Sequence, residues 1–415
     1  MPWIWVGANT MKTPLALSSA GVLLLCQLLP LPLARAQEVS ALPCPAVQEA
    51  DATSFVMDEH LRESISHAHE LATGAGIKVA VIDTGVAPHP RLPPLIPGGD
   101  LIGAHQQPRL PGEFVDCDGH GTIVAGIIAT RPNTGSGWPF DGSADELIGI
   151  APAAEIIAIK QTSAYVRTTE DSLVGTVSTL ADSIHRAIDA GAHVINISVV
   201  SCLPGASSDP AQFQPLNSAL DRAETSGVIV VAAAGNLSPT CAAGSTVYPA
   251  HSDTVLAVSA REQPHVIAAY SIPSSQRILS APSLVGVGLS PRNDGFANAM
   301  LIQSGSSPFE GTSFAAPVVS ATAALLRQRF PQATPQEIRD RIIYSSDPAR
   351  GAIDPYAALS FVPPDSAETT PPEITLSFPS APDTSTQKRG LNILALLGIC
   401  IVLGVLLKGL SRLKN

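Results

Sequence analysis

Four short segments carry residue types that together could open an acyl bond. Val81-Ile82-Asp83-Thr84-Gly85 places a carboxylate at the end of an apolar, β-branched run. Asp118-Gly119-His120-Gly121-Thr122 places an imidazole between glycines, ahead of an apolar stretch with helical character. Gly311-Thr312-Ser313-Phe314-Ala315-Ala316-Pro317 places a hydroxyl at the opening of a second such stretch. Ala232-Ala233-Ala234-Gly235-Asn236 ends an apolar run on a side-chain amide. A serine hydroxyl is a weak nucleophile until a base takes its proton. Histidine can do so near neutral pH, and a buried carboxylate fixes its tautomer and stabilises the imidazolium. An amide can donate to the oxyanion of a tetrahedral intermediate, a contribution of ~10²–10³ in turnover. Taken singly, each residue has a plainer reading as a turn former or helix cap. Taken together, Asp83, His120 and Ser313 read as a nucleophilic relay, with Asn236 as oxyanion donor.

Such a relay needs elements to hold it. Lys78–Asp83, Ile156–Ile159, His193–Val200, Val228–Ala233 and Val255–Ser259 read as strands, the first an unbroken apolar run typical of a buried parallel strand. Between and after them, Ile123–Ala129, Thr179–Ala190, Leu216–Ser226, Thr312–Phe330 and Gln336–Ser345 read as helices, two of them closed by Gly191 and Gly227. Strands alternating with helices predict an α/β fold, a doubly wound parallel sheet with helices on both faces. Sites in such sheets lie beyond the carboxyl ends of the strands, where Asp83 and Asn236 fall.

Composition narrows the function class. Of 415 residues 45% are hydrophobic and only 14% charged, which excludes a mainly disordered chain. A net charge of −11 and the lack of any long basic run argue against nucleic acid as a partner. The N-terminus carries Lys12, an apolar stretch from Leu15 to Leu33 and then Ala34-Arg35-Ala36, which reads as a cleavable signal peptide over 1–36. Leu391 to Leu407 is an uncharged apolar run, near the short end of what crosses a ~30 Å hydrocarbon core. A Pro/Ser/Thr-rich linker, 363–389, precedes it. The expected organisation is therefore a signal peptide at 1–36, an N-terminal extension at 37–74 and a globular domain at 75–362. The linker, a transmembrane helix at 390–408 and a cytoplasmic tail at 409–415 follow. In an exported domain Cys44, Cys117, Cys202 and Cys241 suggest two disulfides, with three pairings open. His67, His69, His89, His105, His185, His193, His251 and His265 show no metal-ligand spacing. Asp141, Asp145 and Glu146 form an acidic stretch without the spacing of a calcium loop, so no metal and no cofactor is expected. Asn196 opens a glycosylation sequon, but on a buried strand.

The order Asp83, His120, Asn236, Ser313 and the words around them resemble the subtilisin-like serine proteases, the subtilases, over roughly residues 75–360. The resemblance implies a triad of Asp83, His120 and Ser313, and an oxyanion hole of Asn236 with the Ser313 amide. It implies that Ser198, Val199, Val200 and Gly235 border the substrate, and that Tyr248-Pro249-Ala250 walls the primary pocket. Two departures stand out. Ile123 occupies a position where many subtilases have a second histidine, and Val200 one where many have a glycine, which predicts a narrowed, selective pocket. The whole layout resembles one subgroup, the mycosins, membrane-anchored subtilases of the mycobacterial type VII secretion systems. That resemblance implies a serine endopeptidase that cuts selected secreted proteins through an acyl-enzyme. Its domain would sit on the periplasmic or extracellular side of the cell membrane, also supporting the secretion membrane complex. The alternatives are a mainly non-proteolytic scaffold of that complex and a general degradative exoprotease. The implied fold pairs Cys202 with Cys241 and leaves Cys44 with Cys117, so that the extension wraps permanently across the catalytic face.

Overall fold

The computed structural model describes residues 39–41, 43–51, 59–103, 110–132, 147–168, 174–203, 210–239, 241–263, 265–272, 279–302, 305–363 and 385–412. The signal peptide expected at 1–36, the acidic residues Asp141, Asp145 and Glu146, His105 and most of the expected linker lie outside them. The chain divides into two units, Met1–Val362 and Pro363–Asn415.

The first unit is built on an eight-stranded sheet. Its order from one edge is Val266–Ile267, Val255–Gln263, Ile229–Ala233, Val194–Ile197, Lys78–Asp83, Glu155–Lys160 and Ile96–Asp100, with Leu279–Pro282 joined to the second of these. All neighbours run parallel except Val266–Ile267. The strands are apolar on both faces, and the period of two sorts their side chains into two cores. Val79, Val81, Ile156, Ala158, Val231 and Val258 point into one core with the helices His120–Ala129 and Thr312–Arg329. Ala80, Ile82, Ile157, Ile159, Ile195 and Ala232 point into the other with Val177–Asp189 and Gln214–Thr225. Thr312–Arg329 buries 15 of its 18 residues, from Thr312 to Arg327, on almost every face. That accounts for its lack of a polar stripe.

Lys78–Asp83 pairs with Glu155–Lys160 on one side and Val194–Ile197 on the other. The chain thus fills one half of the sheet and then the other from this strand, a switch point that opens a crevice at its carboxyl end. A five-stranded antiparallel sheet stands apart, formed by Leu284–Val285, Gly305–Glu310, Phe296–Ile302, Gly288–Leu289 and Val47–Ala50.

The extension is woven into this unit. Val39–Ala41 pairs with Val166–Thr168, and Val47–Ala50 pairs with Phe296–Ile302. The helix Glu59–His69 buries Ile65 and Ala68. Its Ser64 hydroxyl donates to Asp354 at 2.5 Å and accepts the Tyr356 amide at 3.1 Å. Cys44 joins Cys117 and Cys202 joins Cys241, with Cα separations of 4.7 and 5.4 Å.

In the second unit Ser385–Arg412 is one helix, and its described apolar side chains from Leu391 to Leu403 are exposed. Among the described residues no helix is long and apolar enough to cross a membrane, which leaves the span expected at 390–408 unsupported by them.

Candidate active site

Asp83 ends its strand at zero exposure, and its Oδ1 accepts the Thr84 amide at 2.8 Å. His120 opens the His120–Ala129 helix, and its Nδ1 lies 2.7 Å from the same Asp83 oxygen. Its side chain keeps 24% exposure, so one edge of the ring faces outward. The ring packs against Phe314, with centroids 4.7 Å apart, which brings the histidine beside the residue that follows Ser313.

Asp116 sets the turn that carries His120. Its Oδ1 accepts the Thr84 hydroxyl and the Gly119 amide, both at 2.8 Å. Its Oδ2 accepts the Thr122 amide at 2.8 Å and the Thr122 hydroxyl at 2.6 Å. One carboxylate thus satisfies two orphan amides at the helix start and ties that start to the residue after Asp83. Gly119 is required there, because the turn has φ of 71°. Behind it the fully buried Lys160 ammonium donates to the carbonyls of Thr84 and Val115, each at 2.7 Å. Arg292 donates to the carbonyls of Pro45, Asp116 and Cys117 and so reaches from the extension to the histidine loop.

These charges tune the site. Burial pulls the His120 imidazole down, but the Asp83 charge and hydrogen bond, with Asp116 and Asp118, outweigh it and leave it raised. Burial, then the Asp118 charge, pushes Asp116 up to about 6, against the Thr122 hydrogen bonds and Lys160. Burial lowers the Lys160 ammonium. A base must be neutral to accept a proton, so the acid limb of kcat/KM is expected above the ordinary imidazole value. Asp118→Asn removes one raising charge and should move that limb to lower pH, as a pH–rate profile would read; an unmoved limb would show that Asp118 does not help to set it.

Ser313 is the second residue of its helix and is half-buried. Asn236 is exposed, just beyond the strand Ile229–Ala233. Its Oδ1 accepts the Thr312 amide at 3.0 Å and the Thr312 hydroxyl at 2.9 Å. Nδ2 is thereby turned to the Ser313 side: a Cβ on Gly311 would come 2.9 Å from Asn236 Nδ2 and 3.5 Å from Ser313 Oγ. Gly311 leaves open the space that the hydroxyl and the amide share.

The residues expected to border the substrate divide by role. Val199 and Val200 are half-buried and line a cavity of about 160 Å³ with Gln161, Thr162, Thr176 and Ser201. Val200 packs against both cores. Ser198 is buried, and its hydroxyl donates to the Ser313 carbonyl at 2.9 Å. Gly235 is buried as well: its φ of 98° aims Asn236, its amide donates to Thr312 Oγ1 at 3.2 Å, and a Cβ there would meet Val247 at 3.2 Å. The segment after Val200 is fixed by pairing of Ser201–Leu203 with Thr246–Tyr248, under the Cys202–Cys241 bridge. Tyr248 stacks on Phe213 with centroids 4.1 Å apart. Among the described residues no three side chains form a group that could hold a metal ion. Sequence reasoning missed Asp116, Lys160, Thr312 and Arg292. A lysine closing an apolar strand was the one visible signal among them.

Residues 74–373 match the subtilase family, Peptidase S8. Mycosin-1 of Mycobacterium tuberculosis is 32% identical over 84% of this chain and 83% of its own length. The chain belongs to the subtilases, in their mycosin branch. Mycosin-4 of the same organism is 39% identical over 70% of this chain and 66% of its own, so the chain spans about two thirds of that relative. Among solved mycosins, MycP1 from the ESX-1 type VII secretion system superposes with a TM-score of 0.69 at 30% identity, covering 81% of this chain and 94% of that one. A chain of the intact ESX-5 inner membrane complex superposes with a TM-score of 0.70 at 30% identity, covering 90% and 95%.

Proposed function

We propose that this mycosin is a membrane-tethered serine endopeptidase that acts on proteins exported by a type VII secretion system. The observation that carries this reading is the 2.7 Å hydrogen bond from a raised, half-open His120 to a buried Asp83, beside the Ser313 turn. In the proposed mechanism His120 takes the Ser313 proton through Nε2 while Asp83 holds Nδ1–H. Ser313 Oγ attacks the peptide carbonyl. Asn236 Nδ2 and the Ser313 amide take the oxyanion, and His120 returns the proton to the leaving amine. Water then cleaves the acyl-enzyme by the same relay. The apolar run Leu391–Leu407 supports an anchor and the sequence of 1–36 an export signal, and both favour a site on the periplasmic side. The woven extension supports a mature chain that begins at Gln37; a mature start near Gly76 would sink that part.

The test is labelling of the full-length chain in membranes with a fluorophosphonate probe. Labelling that disappears in Ser313→Ala is expected. Absent labelling in a folded parent would move a scaffold role to the front. That second reading draws on one observation, the match to a chain of an assembled membrane complex. Secretion that survives Ser313→Ala but not deletion of the chain would establish it. Val200 supports a selective pocket and argues against a general degradative exoprotease. Val200→Gly is expected to raise kcat/KM for bulky residues before the scissile bond by roughly 10-fold or more, against small ones. An unchanged ratio in a peptide library would show that Val200 does not set the pocket.

A further inference from the structure

In an α-helix the carbonyl of residue i accepts the amide of residue i+4. For Ser313 that partner is Pro317, inside the Thr312–Arg329 helix, and proline has no N–H to give. Helix starts ordinarily leave amides unpaired, not carbonyls, so the Ser313 carbonyl is an exception made by this proline. The Ser198 hydroxyl, at the end of the Val194–Ile197 strand, donates to that carbonyl at 2.9 Å.

The direction of the bond is fixed from behind. Ser320 donates to Asn196 Oδ1 at 2.8 Å, and Asn196 Nδ2 donates to Ser198 Oγ at 2.8 Å. With one lone pair engaged by Asn196, the Ser198 proton is directed to the Ser313 carbonyl. Asn196, Ser198 and Ser320 are all buried, so each bond is made away from water and none is exchangeable at low cost. The relay leaves the long helix at Ser320 and returns to it two turns earlier at Ser313, on one face.

We propose that Ser198 is a positioning residue for the nucleophile: its hydroxyl replaces the backbone donor that Pro317 withholds from the Ser313 carbonyl. Pro317 frees the first turn from its own helix, and the sheet then sets where that turn lies. The proposal rests on Ser313 being the nucleophile of a serine peptidase. It gives Ser198 a role in acylation without contact to substrate.

The test is a double-mutant cycle on the full-length chain, with Ser198→Ala, Pro317→Ala and both together. The readouts are the rate of fluorophosphonate labelling, kcat and KM on a cleaved peptide, and the denaturant midpoint. With Pro317 present, Ser198→Ala should slow labelling and lower kcat by roughly 10- to 100-fold, with KM nearly unchanged. In the Pro317→Ala background the new amide serves the carbonyl, and the same change should cost less than about threefold. Ser198→Thr, which keeps the hydroxyl, should retain the parent rate. Equal losses in both backgrounds overturn the proposal. So does a loss that vanishes on correction for the folded fraction, since that is a structural role alone. A folded parent that takes no label overturns the peptidase reading and the positioning role with it. The midpoints still show, in that case, whether the hydroxyl stands in for the amide.

Discussion

Ser313→Ala is expected to lower peptide hydrolysis by on the order of 10⁴-fold or more, with substrate binding nearly intact. The expectation follows from shared labour. The hydroxyl is inert without His120, and His120 lacks its orientation without the 2.7 Å bond to Asp83. Members of such a unit do not contribute separately. His120→Ala should cost nearly as much as Ser313→Ala, and the double variant no more than the worse single one. Losses that multiply would mean that the two residues act independently and that the relay is misassigned. Phe314 packs on the imidazole, and neither alanine removes its ring.

Asn236→Ala should lower kcat by ~10²–10³ with little change in KM, since an oxyanion exists only past the ground state. Asn236 has two duties. Its Oδ1 holds the Thr312 amide and hydroxyl, while its Nδ2 is turned toward the Ser313 hydroxyl. Asn236→Asp separates them: it keeps the acceptor for Thr312 and removes the donor. Loss of kcat in Asp as deep as in Ala, with stability kept only in Asp, would assign the effect to the oxyanion. Activity retained in Asp would reduce Asn236 to a support for the helix start. Both variants are read by steady-state kinetics beside a denaturant titration.

The main sheet was legible because its physics is local. Lys78–Asp83 was read at its observed bounds, since an unbroken β-branched run ending in a turn has few other uses. The helices at Val177–Asp189, Gln214–Thr225 and Thr312–Arg329 fell within two residues of expectation. The antiparallel sheet was not foreseen. Gly305–Glu310, reading Gly-Ser-Ser-Pro-Phe-Glu, is mostly exposed, contains proline and alternates nothing, so its strand character comes from pairing alone. The extension was read as a wrap held by Cys44, but its strands were not foreseen, since they exist only against Val166–Thr168 and Phe296–Ile302. At the site, the residues proposed to do chemistry sit at element ends and were visible as words. Residues that hold those words in place were not, because Lys160 meets Thr84 and Val115, and Arg292 meets Pro45, only once the chain has folded. Ser198 and Gly235 were expected to border substrate; the fold shows them buried, with the Ser198 hydroxyl on the Ser313 carbonyl and the Gly235 amide on Thr312, contacts that no sequence word announces.

The bridge between Cys44 and Cys117 closes a loop of sequence separation 73 around the whole start of the domain. A protease that nicked the backbone anywhere between those cysteines would release nothing. The product would be a two-chain molecule that migrates as one species without reductant and as two with it. Counting molecular mass on a non-reducing gel would therefore overlook any cut inside that loop, and an N-terminal sequence taken from such a band would read two starts at once.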